Sequence, residues 1–193
     1  MGIANVISAF GLSGAAGLNA FIPLLVVGLL GHFGVVDLAA PYDTLASWPA
    51  IGVVSVLLAL EIVIDKFPGA DHVNDMVQTF LRPTAGAVLF AAEAGVMSDV
   101  PPVVWLAIGL VTALGVHGTK TVARPLVTAS TLGVGTPIVS TVEDGISITA
   151  TLLAIFLPFV FLFFAAGVIA IAIVLFQKLR RSSRDSKPEP AVT

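Results

Sequence analysis

The chain has 193 residues, 57% of them hydrophobic and only 11% charged, with a mean hydropathy of +1.04. A soluble domain carries about 45–50% apolar and about 25% charged residues, and a chain this short cannot enclose the apolar excess in one core. That excludes a soluble enzyme, a disordered chain and a basic nucleic-acid binder, so no nucleic-acid partner is expected. The absence of cysteine excludes disulfides, thiolate nucleophiles and Cys-ligated zinc.

The expectation is an all-α membrane protein. A single polytopic transmembrane domain covers residues 1–177, and 178–193 form a basic, disordered cytoplasmic tail. The net charge of −3 divides accordingly. From Lys178 onward, Lys178, Arg180, Arg181, Arg184 and Lys187 outweigh Asp185 and Glu189. The rest of the chain sets four basic residues against ten acids. A Lys/Arg cluster directly after an apolar span is a cytoplasmic anchor, placing the protein in the cell (inner) membrane.

A helix needs about 20 apolar residues to cross a bilayer. Ile3 to Val36 contains no Lys, Arg, Asp or Glu and is punctuated by Gly11, Gly14, Gly17 and Pro23. Such glycines serve either as a seam for close helix packing or as a break that lines a cavity. No basic residue precedes the stretch, which argues against a signal peptide. Pro49 to Ile64 follows Trp48, an interfacial anchor. Thr84 to Val96 is apolar except for Glu93 and is opened by Arg82-Pro83. Pro102 to Val116 follows, beside Trp105. Pro125 to Val142 is uncharged but rich in Thr, Ser and Gly, poor for a regular helix, and reads as a sixth pass or part of a re-entrant hairpin. Ile146 to Phe176 would run to about 45 Å against about 30 Å of hydrocarbon, so this long last helix is expected to kink or break near Pro158.

With five crossings the basic residues divide between the two sides of the membrane; an even number puts all nine on one side. Five to six transmembrane or re-entrant helices with both termini cytoplasmic are therefore expected. Ala50-Ile51-Gly52-Val53-Val54-Ser55-Val56-Leu57 also matches Ala107-Ile108-Gly109-Leu110-Val111-Thr112-Ala113-Leu114, suggesting a duplicated two-span unit.

The chemistry sits in two clusters. Glu61 and Asp65 lie four apart on one helix face, followed by Lys66, Asp71, His72, Asp75 and Arg82. His117, Lys120 and Arg124 form one helical stripe, followed by Glu143 and Asp144. Asn19 is a polar group inside the first stretch. Burying such groups unpaired costs about 2.5–3.5 kcal/mol each even on the lenient insertion scale, so they must pair or face water. The acidic Glu61/Asp65 face and the basic Lys120/Arg124 face suit each other as partners. The set reads as a salt-bridged lattice or as a water-lined pathway or proton relay. A third reading is a metal site from Asp71, His72 and Asp75, where carboxylates suit Mg²⁺ or Mn²⁺. No HExxH, GxSxG or Walker sequence occurs, so neither an enzyme nor a cofactor is expected.

The run from Glu61 through Asp65-Lys66, Pro68, Asp71 and Asp75 to Arg82-Pro83 and Gly86 resembles the signature of the domain-of-unknown-function 4126 family, multi-span bacterial membrane proteins. His117-Gly-Thr-Lys120-Thr-Val-Ala-Arg124, Ser140-Thr-Val-Glu143-Asp144 and Asn19-Ala-Phe-Ile-Pro23 are similar too. The stretch between Ser130 and Ser140 departs from the family's pattern. The resemblance covers about Gly11 to Pro158; it implies a multi-span α-helical protein and brings no activity.

Two functions fit these features. One is a small transporter or channel for an ion or small polar solute, with Glu61, Asp65 and His117 handling cations or protons and Lys120 and Arg124 as counter-charges. The other is a non-catalytic accessory subunit or assembly factor of a larger membrane complex, for example a respiratory one. Membrane lipids are the first expected partners, with a homo-oligomer or a larger membrane complex beyond them.

Overall fold

The structure, a computed structural model, describes residues 3–64, 71–94, 100–131 and 136–185; the side chains of 71–75, 94, 123–131, 136, 175–176 and 179–185 lie outside that description. Seven α-helices are present among the described residues: α1 (Ile3–Leu18), α2 (Phe21–His32), α3 (Trp48–Ile64), α4 (Asp71–Ala94), α5 (Pro102–Thr131), α6 (Thr136–Phe156) and α7 (Pro158–Asp185). A 3-10 helix, Tyr42–Ala46, stands between α2 and α3, and there is no strand among the described residues. Pro102–Val122 and Pro137–Phe156 are long and apolar enough to cross a membrane; Ile3–Leu18, Phe21–His32, Trp48–Ile64 and Pro158–Val174 are shorter apolar helices.

Proline placement explains most of the helix starts. Pro23, Pro49, Pro102, Pro137 and Pro158 all stand in the first turn of a helix, where the missing N–H is one the helix could not have paired. Pro125 to Val142 forms no pass of its own: its first part continues α5 to Thr131, and its last part opens α6. The expected start at Arg82-Pro83 is corrected as well, since α4 begins at Asp71 and carries Pro83 in its interior. Gln78, Arg82 and Pro83 are all buried there, and packing on neighbouring helices outweighs the local cost of proline.

The first apolar stretch divides at Asn19–Ala20, between the glycines and Pro23. Asn19 Oδ1 accepts from the N–H groups of Phe21 (3.0 Å) and Ile22 (3.1 Å), satisfying two orphan donors of α2. At the other end of α2, Gly34 adopts φ +69°. Its N–H donates to Gly31 O, and the N–H of Val35 donates to Leu30 O, the Schellman pattern that stops a helix.

The last stretch is interrupted at Leu157, directly before Pro158. The N–H of Leu157 still donates to Leu153 O (2.8 Å) and that of Phe161 to Leu157 O (3.0 Å). Pro158 has no N–H for the carbonyl of Ala154. Ser8 Oγ on α1 supplies the missing donor, at 2.6 Å. α7 continues through Asp185, so the expected boundary at 177/178 falls inside a helix, and Lys178 to Arg184 stand on that helix.

α1 lies at the centre, packed against α2, α4, α5, α6 and α7. It runs parallel to α5, since Ser13 Oγ donates to Gly109 O and Lys120 Nζ to Leu18 O. It runs antiparallel to α6, where Ser8 meets Ala154, Ser147 Oγ donates to Ala15 O, and Asn19 meets Asp144. Small residues make these approaches possible. A Cβ on Gly17 would stand 2.6 Å from Ala113 O, and one on Gly109 would stand 2.5 Å from Gly86 O. The glycines thus form a packing seam rather than the break itself.

The interior is built largely of Ala9, Ala15, Ala16, Ala85, Ala91, Ala113 and Ala154 with a few larger side chains such as Leu12, Leu89 and Phe90. The large apolar residues are mostly outside: Val53, Val56, Leu60 and Val63 on α3, Val103 and Val111 on α5, and Phe159, Phe163, Ile169 and Ile171 on α7 are exposed. The two similar octapeptides lie near the starts of α3 and α5 but in different surroundings. α3 leans on α2 and the 3-10 helix, whereas α5 packs on α4 and α1.

Candidate functional site: buried charges around a helix break

α1 and α2 form a tight hairpin whose tip is Asn19–Ala20. Beyond α2 the N–H of Ala39 reaches Ala92 O, close along α4 to Phe90, which packs edge-on against Phe10 in the middle of α1, with 5.0 Å between ring centroids. α2 has therefore turned back alongside α1. The tip stays within the bundle. α5 continues from Lys120, which touches the tip, to Thr131, about 16 Å further at 1.5 Å per residue.

Two groups of polar side chains gather at this level. The first joins α3, α4 and α5. Arg82 Nη2 donates to Glu61 Oε1 at 3.3 Å, and both side chains are almost completely buried. Arg82 Nη1 lies 3.2 Å from His117 Nδ1, and His117 Nε2 lies 3.2 Å from Thr79 Oγ1. A guanidinium can only donate, so Nδ1 accepts and carries no proton. The remaining proton of a neutral His117 is then on Nε2, directed at the Thr79 hydroxyl. In this tautomer His117 donates to Thr79 and does not accept from it. Arg82 Nε and Gln78 Oε1 are buried without a hydrogen-bond partner among the described residues.

The second group surrounds the hairpin tip. Lys120 Nζ donates to Leu18 O at 3.0 Å and pairs with Glu143 Oε2 at 2.7 Å. Leu18 is the last residue of α1, so its carbonyl has no intrahelical donor, and a cation is favoured at that negative helix end. Asn19 Nδ2 donates to Asp144 Oδ1 at 2.9 Å while its Oδ1 caps α2. One asparagine thus ties the tip to α6.

The structure brings together Asn19, Glu61, Arg82, His117, Lys120, Glu143 and Asp144. Among the described residues Glu61 pairs with Arg82 and Lys120 with Glu143. The antiparallel approach of α4 to α5 sets Arg82 between Glu61 and His117. Asp65 and Lys66 lie outside the described residues. Asp71, His72 and Asp75 stand on α4 and Arg124 on α5, with side chains outside the description, so the suggested metal set falls there too. Sequence reading missed Gln78 and Thr79, although their spacing from Arg82, four and three residues, puts both on its side of α4. It also missed Ser8, Ser13 and Ser147, single hydroxyls whose acceptors are backbone carbonyls and leave no mark in a sequence.

The chain belongs to the family described as Domain of unknown function (DUF4126), whose model matches residues 6–178. No curated protein and no solved structure matches the chain.

Proposed function

Taking that membership and this geometry as premises, we propose that the protein is a multi-span membrane protein that passes an ion or small polar solute, with the α1–α2 tip as its working site. The membrane part of the reading is supported by the inverted distribution of side chains. Alanine and glycine fill the interior while large apolar residues cover α3, α5 and α7, the arrangement that suits helices packed in lipid. The transport part rests on one observation, a helix broken inside the bundle with Lys120, Glu143 and Asp144 at the break. Interrupted helices at membrane depth are tolerated where they line a cavity, and in transporters they carry substrate and ion sites.

The test is flux into proteoliposomes, read with proton-, sodium- and potassium-sensitive dyes. Glu61→Gln, Lys120→Met and Asp144→Asn combined should abolish it. Flux that persists unchanged in the triple variant overturns the reading.

A second reading, an accessory subunit of a larger membrane complex, is favoured by α3. Among the described residues that helix packs mainly on α2, the 3-10 helix and α4, and leaves Val53, Val56, Leu57 and Leu60 exposed. Purification in a gentle detergent separates the two. Co-migration with a much larger complex supports the second reading, and a homo-oligomer with solute flux supports the first.

A further inference from the structure

The end of α1 has the makings of a cation site. The last carbonyls of a helix lack intrahelical donors, and the macrodipole places about half a negative charge there. Around that end α6 adds the carboxylates of Glu143 and Asp144, and Asn19 adds an amide. In interrupted-helix transporters, freed carbonyls and half-helix C-termini of this kind hold a coupling Na⁺ or H⁺. Here a cation is already in place, and it belongs to the chain. Lys120, only 6% exposed, reaches from α5 to set its ammonium 3.0 Å from Leu18 O and 2.7 Å from Glu143 Oε2. Those separations are typical of ammonium or potassium on oxygen and long for sodium.

We propose that the α1–α2 break is a monovalent-cation site of ammonium or potassium size whose resident cation is the Lys120 side chain. The site needs no free metal ion, because the charge that closes the hairpin tip is covalently attached to α5. It rests on the reading of the break as the working site, and it adds that this site is insensitive to sodium. Truncating Lys120 at Cβ opens a space lined by a helix-end carbonyl and a carboxylate, which a small free cation can enter.

The experiment is thermal unfolding of the full chain in detergent. Wild type, Lys120→Ala and Lys120→Met are each titrated with ammonium, methylammonium, potassium and sodium chloride. N-methylglucamine chloride at equal ionic strength is the reference. Wild type should melt at one temperature in all five salts. Lys120→Ala should melt lower in N-methylglucamine and recover several degrees, saturably, in ammonium and potassium, with less recovery in sodium. Lys120→Met, which fills the space with an uncharged chain, should be destabilised and recover in none of them.

A Lys120→Ala protein that melts alike in all salts overturns the proposal, and so does one that stays unfolded in ammonium and potassium alike. Equal recovery of Lys120→Met marks a general salt effect and also overturns it; so does a Lys120→Met protein as stable as wild type. Flux is not measured here. A null result therefore leaves the transport reading standing, and loss of flux in the proteoliposome test leaves a cation-specific recovery standing.

Discussion

Arg82 is the residue on which the first polar group turns. It is 1% exposed and serves acceptors on two other helices, Glu61 on α3 and His117 on α5. Removing one partner of a buried ion pair strands the other charge, at a cost of about 3–5 kcal/mol. Arg82→Ala should therefore lose about that much stability in a detergent unfolding titration. Glu61→Met/Arg82→Met, with both charges gone, should recover most of the loss. A double variant no better than Arg82→Ala would show that the guanidinium's packing, rather than its charge, holds the helices. The sequence made Arg82, Glu61 and His117 conspicuous as charged or ionisable groups in apolar surroundings, which is a chemical signal. Which acid met which base depended on how α4 turns and crosses α5, and residue types alone carry no record of that.

At the scale of elements, the interruption at Pro158 was legible because a residue enforces it: its ring removes a donor and crowds the preceding turn. Gly34, which ends α2 with a positive φ, was not singled out in the sequence. The break at Asn19 was harder to see, since asparagine caps a helix only if the chain has turned in front of it. The interruption at Leu157 makes a coupled prediction. Ser8→Ala should leave Ala154 O without its 2.6 Å donor and cost about 1–3 kcal/mol. Pro158→Ala restores an N–H for that same carbonyl, so Ser8→Ala/Pro158→Ala should lose less than the two single losses added. A double-mutant cycle by thermal unfolding measures the difference, and strict additivity would remove Ser8 from the account of the interruption.

For the whole molecule, composition announced a helical chain with more apolar surface than it can bury, and the arrangement agrees: exposed Phe163, Val111 and Val53 lie outside a core of alanine and glycine. The number of helices was less accessible. An apolar stretch long enough for one pass and one folded back on itself have the same composition, and only the cap at Asn19 and the proline at 158 distinguish them. The membrane reading predicts that the chain stays with the lipid pellet through washes at alkaline pH and in urea and leaves it only in detergent. Release by urea alone would contradict it.

Four bonds that hold α1 share a form: Ser8 to Ala154, Ser13 to Gly109, Ser147 to Ala15 and Lys120 to Leu18 each join a side chain to a backbone carbonyl. A carbonyl is supplied by any amino acid. Inheritance should therefore be lopsided across the family, with the donor positions 8, 13, 147 and 120 held to hydroxyl or amine and the acceptor positions 154, 109, 15 and 18 answering only to size. The same four bonds make α1 a keyed shaft. Sliding it by one residue would also rotate it by about 100° and break all four together, so rearrangement during a working cycle would have to take place around α1 and not along it.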